Sequence, residues 1–93
     1  MTYETENGIA KALQRITDFV LARNQAGDDA LVNYGNLCAE MLTAAFVHEI
    51  DCPELVTIAN ELADLDAGAN VPGPLRDAIA RLNEVILESN VTA

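Results

Sequence analysis

LCAEMLTAAFVHEI, residues 37–50, is the most apolar stretch of this 93-residue chain. It contains neither Gly nor Pro, and its apolar side chains fall on nearly every side of a helix, without the alternation of a half-buried strand. A helix that is apolar all round has to be buried all round. The stretch therefore predicts a helix that other helices cover, either from this chain or from a second copy.

The segment before this stretch is amphipathic. Its apolar residues at positions 9, 13, 16 and 20 have the 4-3-4 spacing of one helix face. This spacing predicts a first helix over about residues 4–26. Gly27 follows directly, and a glycine commonly ends a helix there because it adopts the left-handed conformation without steric cost.

A second helix is predicted over about residues 30–50, which includes the apolar stretch. Asp28 and Asp29 both precede it, and a short acidic side chain at this position can cap the first free backbone N–H groups. Gly35 lies inside the predicted helix, where it costs about 1 kcal/mol relative to Ala. It therefore marks either a bend in the helix or a close crossing with another helix.

Two further helices are predicted after a proline-marked break. Asp51 and Glu54 resemble a capping box for a third helix over about residues 53–65. A loop rich in turn residues follows, and Pro74 then begins a fourth helix over about residues 74–88.

These segments predict one all-α domain, residues 1–93, with a small four-helix bundle-like fold. The length suits a single domain, and an apolar content of 51% argues against disorder. Residues 89–93 are predicted to form a polar tail.

The apolar stretch also predicts self-association. A monomer of this size has few helices with which to cover a helix that is apolar on every side, so we expect a homodimer or a larger oligomer. The interface is predicted at apolar residues of the stretch: Leu37, Met41, Leu42, Ala45 and Phe46.

The charge is strongly negative and unevenly distributed. Fifteen acids against five bases give a net charge of −10, which argues against direct binding of nucleic acid or of an anionic membrane surface. No Lys or Arg lies between Arg23 and Arg76, although nine acids do. A surface of one sign attracts a partner of the opposite sign. The predicted partner-binding residues are Glu49, Asp51, Glu54, Glu61, Asp64 and Asp66.

Catalytic and metal sites are not expected. His48 is the only histidine, and no oxyanion-hole motif accompanies it or Cys52. Cys38, His48 and Cys52 lack the paired spacing of structural zinc ligands. The loop that starts at Asp64 lacks the Gly and the bidentate Glu of an EF-hand. No phosphate-binding glycine loop is present either, so no cofactor is predicted.

The chain begins without the charged and apolar regions of a signal peptide, and no apolar run is long enough to cross a bilayer. These features predict a cytoplasmic protein. Both of its cysteines are then expected to be reduced thiols.

The first functional hypothesis is a non-enzymatic inhibitor or adaptor that binds a basic partner protein, for example a nucleic-acid-binding protein. Phage anti-defence proteins, DNA mimics, antitoxins and toxin-immunity proteins include small acidic helical proteins, which this chain resembles in size and charge alone. The alternatives are a helical oligomer that sequesters a small anionic ligand such as a nucleotide, and a structural or assembly subunit. The anion contacts of the ligand-binding alternative would come from Lys11, Arg15 and Arg23.

Overall fold

The computed structural model describes residues 3–88, with side chains from residue 8 onward, so the predicted tail lies outside the described residues. Within this range the chain folds into α-helices and contains no strand, which confirms the predicted all-α, bundle-like fold. The elements are α1 (Tyr3–Gln25), α2 (Asp29–Val47), α3 (Pro53–Ala63), α4 (Gly73–Asn83) and a π-helical turn at Glu84–Glu88 that continues α4.

Helices α2 and α3 separate α1 from α4. Both outer helices pack against α2 and α3, and α1 makes no contact with α4 across the described range. The core between them is aliphatic, and Phe19 is its one aromatic member among residues 8–88. No polar or charged side chain is buried in that same range. Aliphatic packing is therefore the main source of stability.

The inward face of α2 is fully buried within a single chain. Four of its side chains are 0% exposed, namely Cys38, Met41, Leu42 and Ala45. Gly35 on the same face is also buried. Helices α1, α3 and α4 all contact α2, so three helices of one chain are enough to cover this face. One chain therefore covers the inward face of the apolar stretch but leaves Phe46 and Val47 exposed, and the homodimer stays a prediction.

Gly35 lies at the crossing of α1 and α2. A Cβ added there would lie 2.5 Å from Cγ2 of Val20 and 3.3 Å from Cδ2 of Phe19. The helix runs without a break from Asp29 to Val47, and the short distances to α1 show that the glycine permits a close crossing. This close approach explains a residue that is otherwise unfavourable inside a helix.

The connection between α1 and α2 forms as predicted. Gly27 has a left-handed φ of 76°, and the N–H of Asp28 donates to the carbonyl of Arg23 at 2.9 Å, which ends α1 in a Schellman motif. The Asp28 carboxylate accepts one hydrogen bond from the N–H of Leu31 at 3.4 Å and another from the N–H of Gly68 at 2.7 Å. It therefore caps α2 and also fixes the loop between α3 and α4.

Helix α2 ends at Val47, three residues earlier than predicted. Glu49 adopts a left-handed φ of 56°, and the N–H of Ile50 donates to the carbonyl of Ala45 at 2.9 Å. These bonds form a second Schellman motif, with Glu49 at the position that glycine usually occupies. The missing glycine is the reason why the sequence did not show this helix end.

Helix α3 begins without the predicted capping box. Cys52 occupies the N-cap position, and no side chain accepts a hydrogen bond from the first turn. Asp51 is exposed one residue further out. Glu54 lies in the first turn, where its carboxylate bonds to Arg81 of α4, so it does not bond back to the cap. The helix ends at Ala63, two residues before the predicted position.

Candidate interaction surface

Two ion pairs join α3 to the outer helices. From α1, Arg15 donates to the carboxylate of Asp64 and to the side-chain oxygen of Asn60, the latter at 2.8 Å. From α4, Arg81 donates to the carboxylate of Glu54 at 2.5 Å. The hydrogen bond from Arg81 holds the pKa of Glu54 below its usual value. Two of the six acids predicted to bind a partner, Glu54 and Asp64, are therefore neutralised within the chain.

The predicted anion-binding set does not come together as a site. Arg15 is engaged by α3, and Arg23 donates to the backbone carbonyl of Leu65 at 2.6 Å while its guanidinium lies 4.8 Å from the centre of the Phe19 ring. Lys11 is exposed on α1 and lies about 18 Å from Arg23 along the helix axis, at the rise of about 1.5 Å per residue. Two of the three cations, Arg15 and Arg23, are thus hydrogen-bonded to α3 or to the residues that directly follow it.

Six acids of the base-free stretch keep their charge exposed. The Asp28 carboxylate is used by two backbone N–H groups, and Glu54 and Asp64 are used by arginines. The others have neither a side-chain hydrogen bond nor an ion pair within the part of the chain that the structure describes. All six are exposed: Asp29, Glu40, Glu49, Asp51, Glu61 and Asp66.

The end of α2 exposes two neighbouring large apolar side chains. Phe46 is 53% exposed and Val47 is 65% exposed, whereas the other exposed large apolar residues, Leu21 and Val85, lie singly on α1 and on the π-helical turn. Around this pair lie an exposed histidine and three of the free acids. We call this set the corner surface: Glu40, Phe46, Val47, His48, Glu49 and Asp51.

The helical register places the members of the corner surface close together. Glu40 precedes Val47 by seven residues, which is two turns and about 10 Å along the same face. Glu49 and Asp51 follow Val47 by two and four residues in the turn that closes α2. Carboxylates therefore lie on both sides of Val47 along the chain, two turns before it and in the turn after it.

Two concave regions flank the exposed pair. Phe46 lines a groove of about 310 Å³ with residues of α1 that include Ile9, Leu13 and Thr17. Val47 and His48 line an open depression of about 580 Å³ on the outer face of α2. The exposed apolar pair at the end of α2 is thus flanked by a concave region on each side.

The predicted oligomer interface has to be corrected. Met41, Leu42 and Ala45 are 0% exposed within one chain, so a second copy cannot contact them. Leu37 is half-buried, and Phe46 is the one predicted interface residue that is exposed. These three side chains belong to the core of one chain, and the prediction placed them at an interface because it did not use the polar positions that mark the outward face of α2.

Three members of the corner surface, Glu40, Val47 and His48, were not predicted as site residues. A signal for two of them is present in the sequence. Polar residues at positions 36, 40 and 43 repeat with helical spacing and mark an outward face, and Val47 continues that spacing. The polar stripe, and not the apolar one, identifies which apolar residue of α2 reaches the surface.

A separate pocket lies between the first turns of α2 and the loop before α4. It has a volume of about 470 Å³, and its polar side chains are Tyr34, Asn70 and Arg76. Leu31 and Val71 provide apolar lining. The bond from Gly68 to Asp28 holds this loop against α2 and so shapes the pocket.

The two cysteines and the histidine form no reactive cluster. Burial raises the pKa of the Cys38 thiol to about 12, which keeps it protonated and unreactive, and Cys52 is half-buried without a disulfide partner. Among the described residues, no three potential metal ligands of the His, Cys, Asp and Glu types lie close enough to hold one ion. No helix of that range has the length and apolar character needed to cross a membrane.

The chain matches no known protein-family model, no curated protein and no solved structure.

Proposed function

We propose that this chain is a non-catalytic binding protein that recognises a basic partner protein through its exposed carboxylates. One observation carries the proposal, namely the division of the nine acids of the base-free stretch. Three of them serve the fold through arginines or backbone N–H groups, and six are exposed without a counter-charge from the described residues. Like charges on neighbouring surfaces cost stability, and binding of a cationic surface would offset that cost.

The competing explanation is a structural or assembly subunit whose charge only prevents aggregation. Under that explanation the positions of the acids are unimportant, and removing any three of them has the same effect. Under the proposed function the positions matter, because a partner contacts some acids and leaves others free. The two explanations can therefore be separated by variants with equal charge and different location.

The test is affinity capture on the immobilised protein from a lysate of its source cells, at about 50 mM and about 500 mM salt, where the Debye length falls from about 14 Å to about 4 Å. The first variant is Glu49→Gln/Asp51→Asn/Glu61→Gln. The matched control is Glu4→Gln/Asp18→Asn/Asp77→Asn, which removes the same charge from the two end helices. Glu54 and Asp64 stay unchanged because their loss would break ion pairs of the fold.

We expect a basic protein that is retained at low salt and released at high salt. The first variant should lose it, and the control variant should retain it. Equal retention by both variants, or capture that does not respond to salt, would contradict the proposal. Equal loss in both variants would support the competing explanation of a diffuse charge effect.

A second candidate is supported by the pocket at Tyr34, Asn70 and Arg76. Its volume lies within the range of about 300–1,000 Å³ that is typical of small-molecule sites, and Arg76 has no ion-pair partner among the described residues. A small anionic ligand such as a nucleotide would therefore contact Arg76, and not the predicted Lys11, Arg15 and Arg23. The net charge of −10 opposes this binding at long range, which is why we rank it second.

Thermal unfolding with a panel of nucleotides tests the second candidate. A ligand at 100 times its Kd should stabilise the protein by about 2.7 kcal/mol, and Arg76→Gln should remove most of this effect. A matched Lys11→Gln variant should leave the effect unchanged. An unchanged melting temperature with every nucleotide, or a shift that survives Arg76→Gln, would exclude this site.

A further inference from the structure

We propose that the corner surface binds one amphipathic helix of the partner, with apolar residues on its inner face and Lys or Arg beside them. The inference rests on the proposed function and names the place and the chemistry of the contact. Three independent features of the corner surface support it: its exposed apolar pair, its charge, and the strained backbone of Glu49.

Contact with the apolar face of a helix would remove the exposed apolar pair from water. Phe46 and Val47 are adjacent and more than half exposed, and a groove against Ile9 and Leu13 lies directly beside the ring. Single exposed apolar residues are common on proteins, but neighbouring ones with polar borders mark contact sites. An amphipathic helix fills such a groove with side chains spaced three and four residues apart.

The charge of the corner surface selects a cationic partner. Glu40, Glu49 and Asp51 have no counter-charge among the described residues. Along the chain, the basic residues nearest to Val47 are Arg23, 24 positions before it, and Arg76, 29 positions after it. The C-terminus of α2 also lies at the corner surface, where the helix dipole adds partial negative charge. A second copy of this chain would bring the same carboxylates, so repulsion disfavours a homodimer at this surface.

The backbone of Glu49 gives the third argument. Its φ of 56° is a conformation in which a residue with a side chain costs about 1–2 kcal/mol, and glycine is the usual residue at this position of a Schellman motif. The companion motif at the end of α1 does use glycine, at Gly27. Glu49 thus keeps a carboxylate beside the apolar pair at a cost in stability, as expected for a contact residue.

The test uses a synthetic amphipathic helix of Leu and Lys of about 14 residues, which is about four turns. A scrambled peptide of equal composition and a Leu/Glu analogue are its controls. Titration into ¹⁵N-labelled protein, followed by backbone amide shifts, should move residues 46–51 and the α1 side of the groove first. The scrambled peptide should bind at least about tenfold more weakly, and the Leu/Glu analogue should not bind.

Matched variants separate this surface from general acidity. Phe46→Ser/Val47→Ser should weaken binding of the Leu/Lys peptide by about tenfold or more, whereas Leu21→Ser/Val85→Ser removes similar exposed apolar area elsewhere and should change it by less than about twofold. Glu49→Gln/Asp51→Asn should weaken binding more than Asp29→Asn/Asp66→Asn does, although the two pairs remove equal charge.

Each contrary result overturns the corner surface in a distinguishable way. Shifts centred on Asp29, Glu61 and Asp66 would move the contact elsewhere and leave the proposed function intact. If the peptide does not bind but a basic protein is captured from lysate in a salt-sensitive way, the corner surface is not the contact and the proposed function still stands. Failure of both experiments would overturn the proposed function as well. A stable dimer in light scattering that Phe46→Ser/Val47→Ser dissociates would show that a second copy covers this surface.

Discussion

The two faces of α2 differ in what they do, although both come from the same apolar segment. The inward face, at Cys38, Met41 and Leu42, is 0% exposed and has no polar side chain that needs a hydrogen-bond partner. The outward face, at Glu40 and Val47, is exposed to solvent among the described residues. Inward residues therefore determine stability, and outward residues are free to be selected for a contact.

Apolar composition by itself therefore does not identify the buried residues of α2. Three helices cover α2 from one side, and small residues such as Ala39 and Ala44 lie half-buried at the borders. Only the last turn of α2 carries large apolar side chains beyond the reach of those helices. Changes on the two faces should consequently have separate effects. We expect effects of decreasing size from the core of α2, from its crossing with α1, from the turn that ends it, and from the exposed ion pair between α3 and α4.

The largest effect is expected from truncation on the inward face. Leu42→Ala should reduce the free energy of unfolding by about 2–5 kcal/mol, because it removes buried methyl groups and leaves a cavity. Val47→Ala on the outward face should change it by no more than about 0.5 kcal/mol. Urea unfolding followed by circular dichroism measures both values. Leu21→Ala on α1 is the control with the same chemistry at an exposed site, and a loss there similar to that of Leu42→Ala would contradict the separation of faces.

The next effect concerns the crossing of α1 and α2. Gly35→Ala gains about 1 kcal/mol of helix propensity but forces Val20 to move, since the new Cβ would lie 2.5 Å from its methyl group. Overpacking costs about 1–3 kcal/mol, so we expect a net loss of about 1 kcal/mol. Gly8→Ala is the control, because its nearest neighbour is Val56 at 3.8 Å and the added methyl group should stabilise.

A double-mutant cycle tests the stated cause. Val20→Ala removes the clashing methyl group, so Gly35→Ala combined with Val20→Ala should be more stable than the sum of the single changes by more than about 0.5 kcal/mol. Additive effects would mean that Val20 is not the obstacle. Unfolding of all four proteins in urea gives the coupling free energy.

The fold was accessible from the sequence because its signals are local and repeated. The 4-3-4 spacing around Ile9 and Ile16, the glycine at position 27 and the acid at position 28 each predicted what the structure contains. The close crossing at Gly35 was one of two predicted alternatives. Errors arose at the end of α2 and the start of α3, where Glu49 replaces a glycine and Cys52 replaces a capping side chain.

The candidate site was less accessible because its character depends on contacts between distant residues. The pairing of Arg15 with Asp64 and of Arg81 with Glu54 joins residues 49 and 27 positions apart, and no local pattern shows it. Charge counting therefore assigned Glu54 and Asp64 to a partner surface although the fold itself uses them. The composition correctly located an excess of acid but could not show which acids remain unpaired.

A smaller effect is expected where the two Schellman motifs differ. Glu49→Gly should stabilise the protein by about 0.5–1 kcal/mol, because the relief of the left-handed strain outweighs the added freedom of the unfolded chain. Gly27→Ala should destabilise it by about 1 kcal/mol for the converse reason. Thermal and urea unfolding measure both. A loss of stability in Glu49→Gly would show that the carboxylate, and not the backbone, determines the energy of this turn.

The smallest effect is expected at the exposed pair of Glu54 and Arg81, and its sign follows from the pKa. The hydrogen bond from Arg81 lowers the pKa of Glu54 in the folded state, so folding favours the ionised form. The stabilisation is present above the unfolded pKa of about 4.3 and disappears as the pH falls through the lower folded value. Glu54→Gln should therefore be slightly less stable than the natural protein at pH 7 and equally stable at a pH below the folded pKa.

Arg81→Gln should show the same convergence, since it removes the same ion pair. The difference in stability should also shrink in high salt because both side chains are about half exposed. A difference between Glu54→Gln and the natural protein that persists in acid would instead assign the effect to packing of the Glu54 side chain in the first turn of α3.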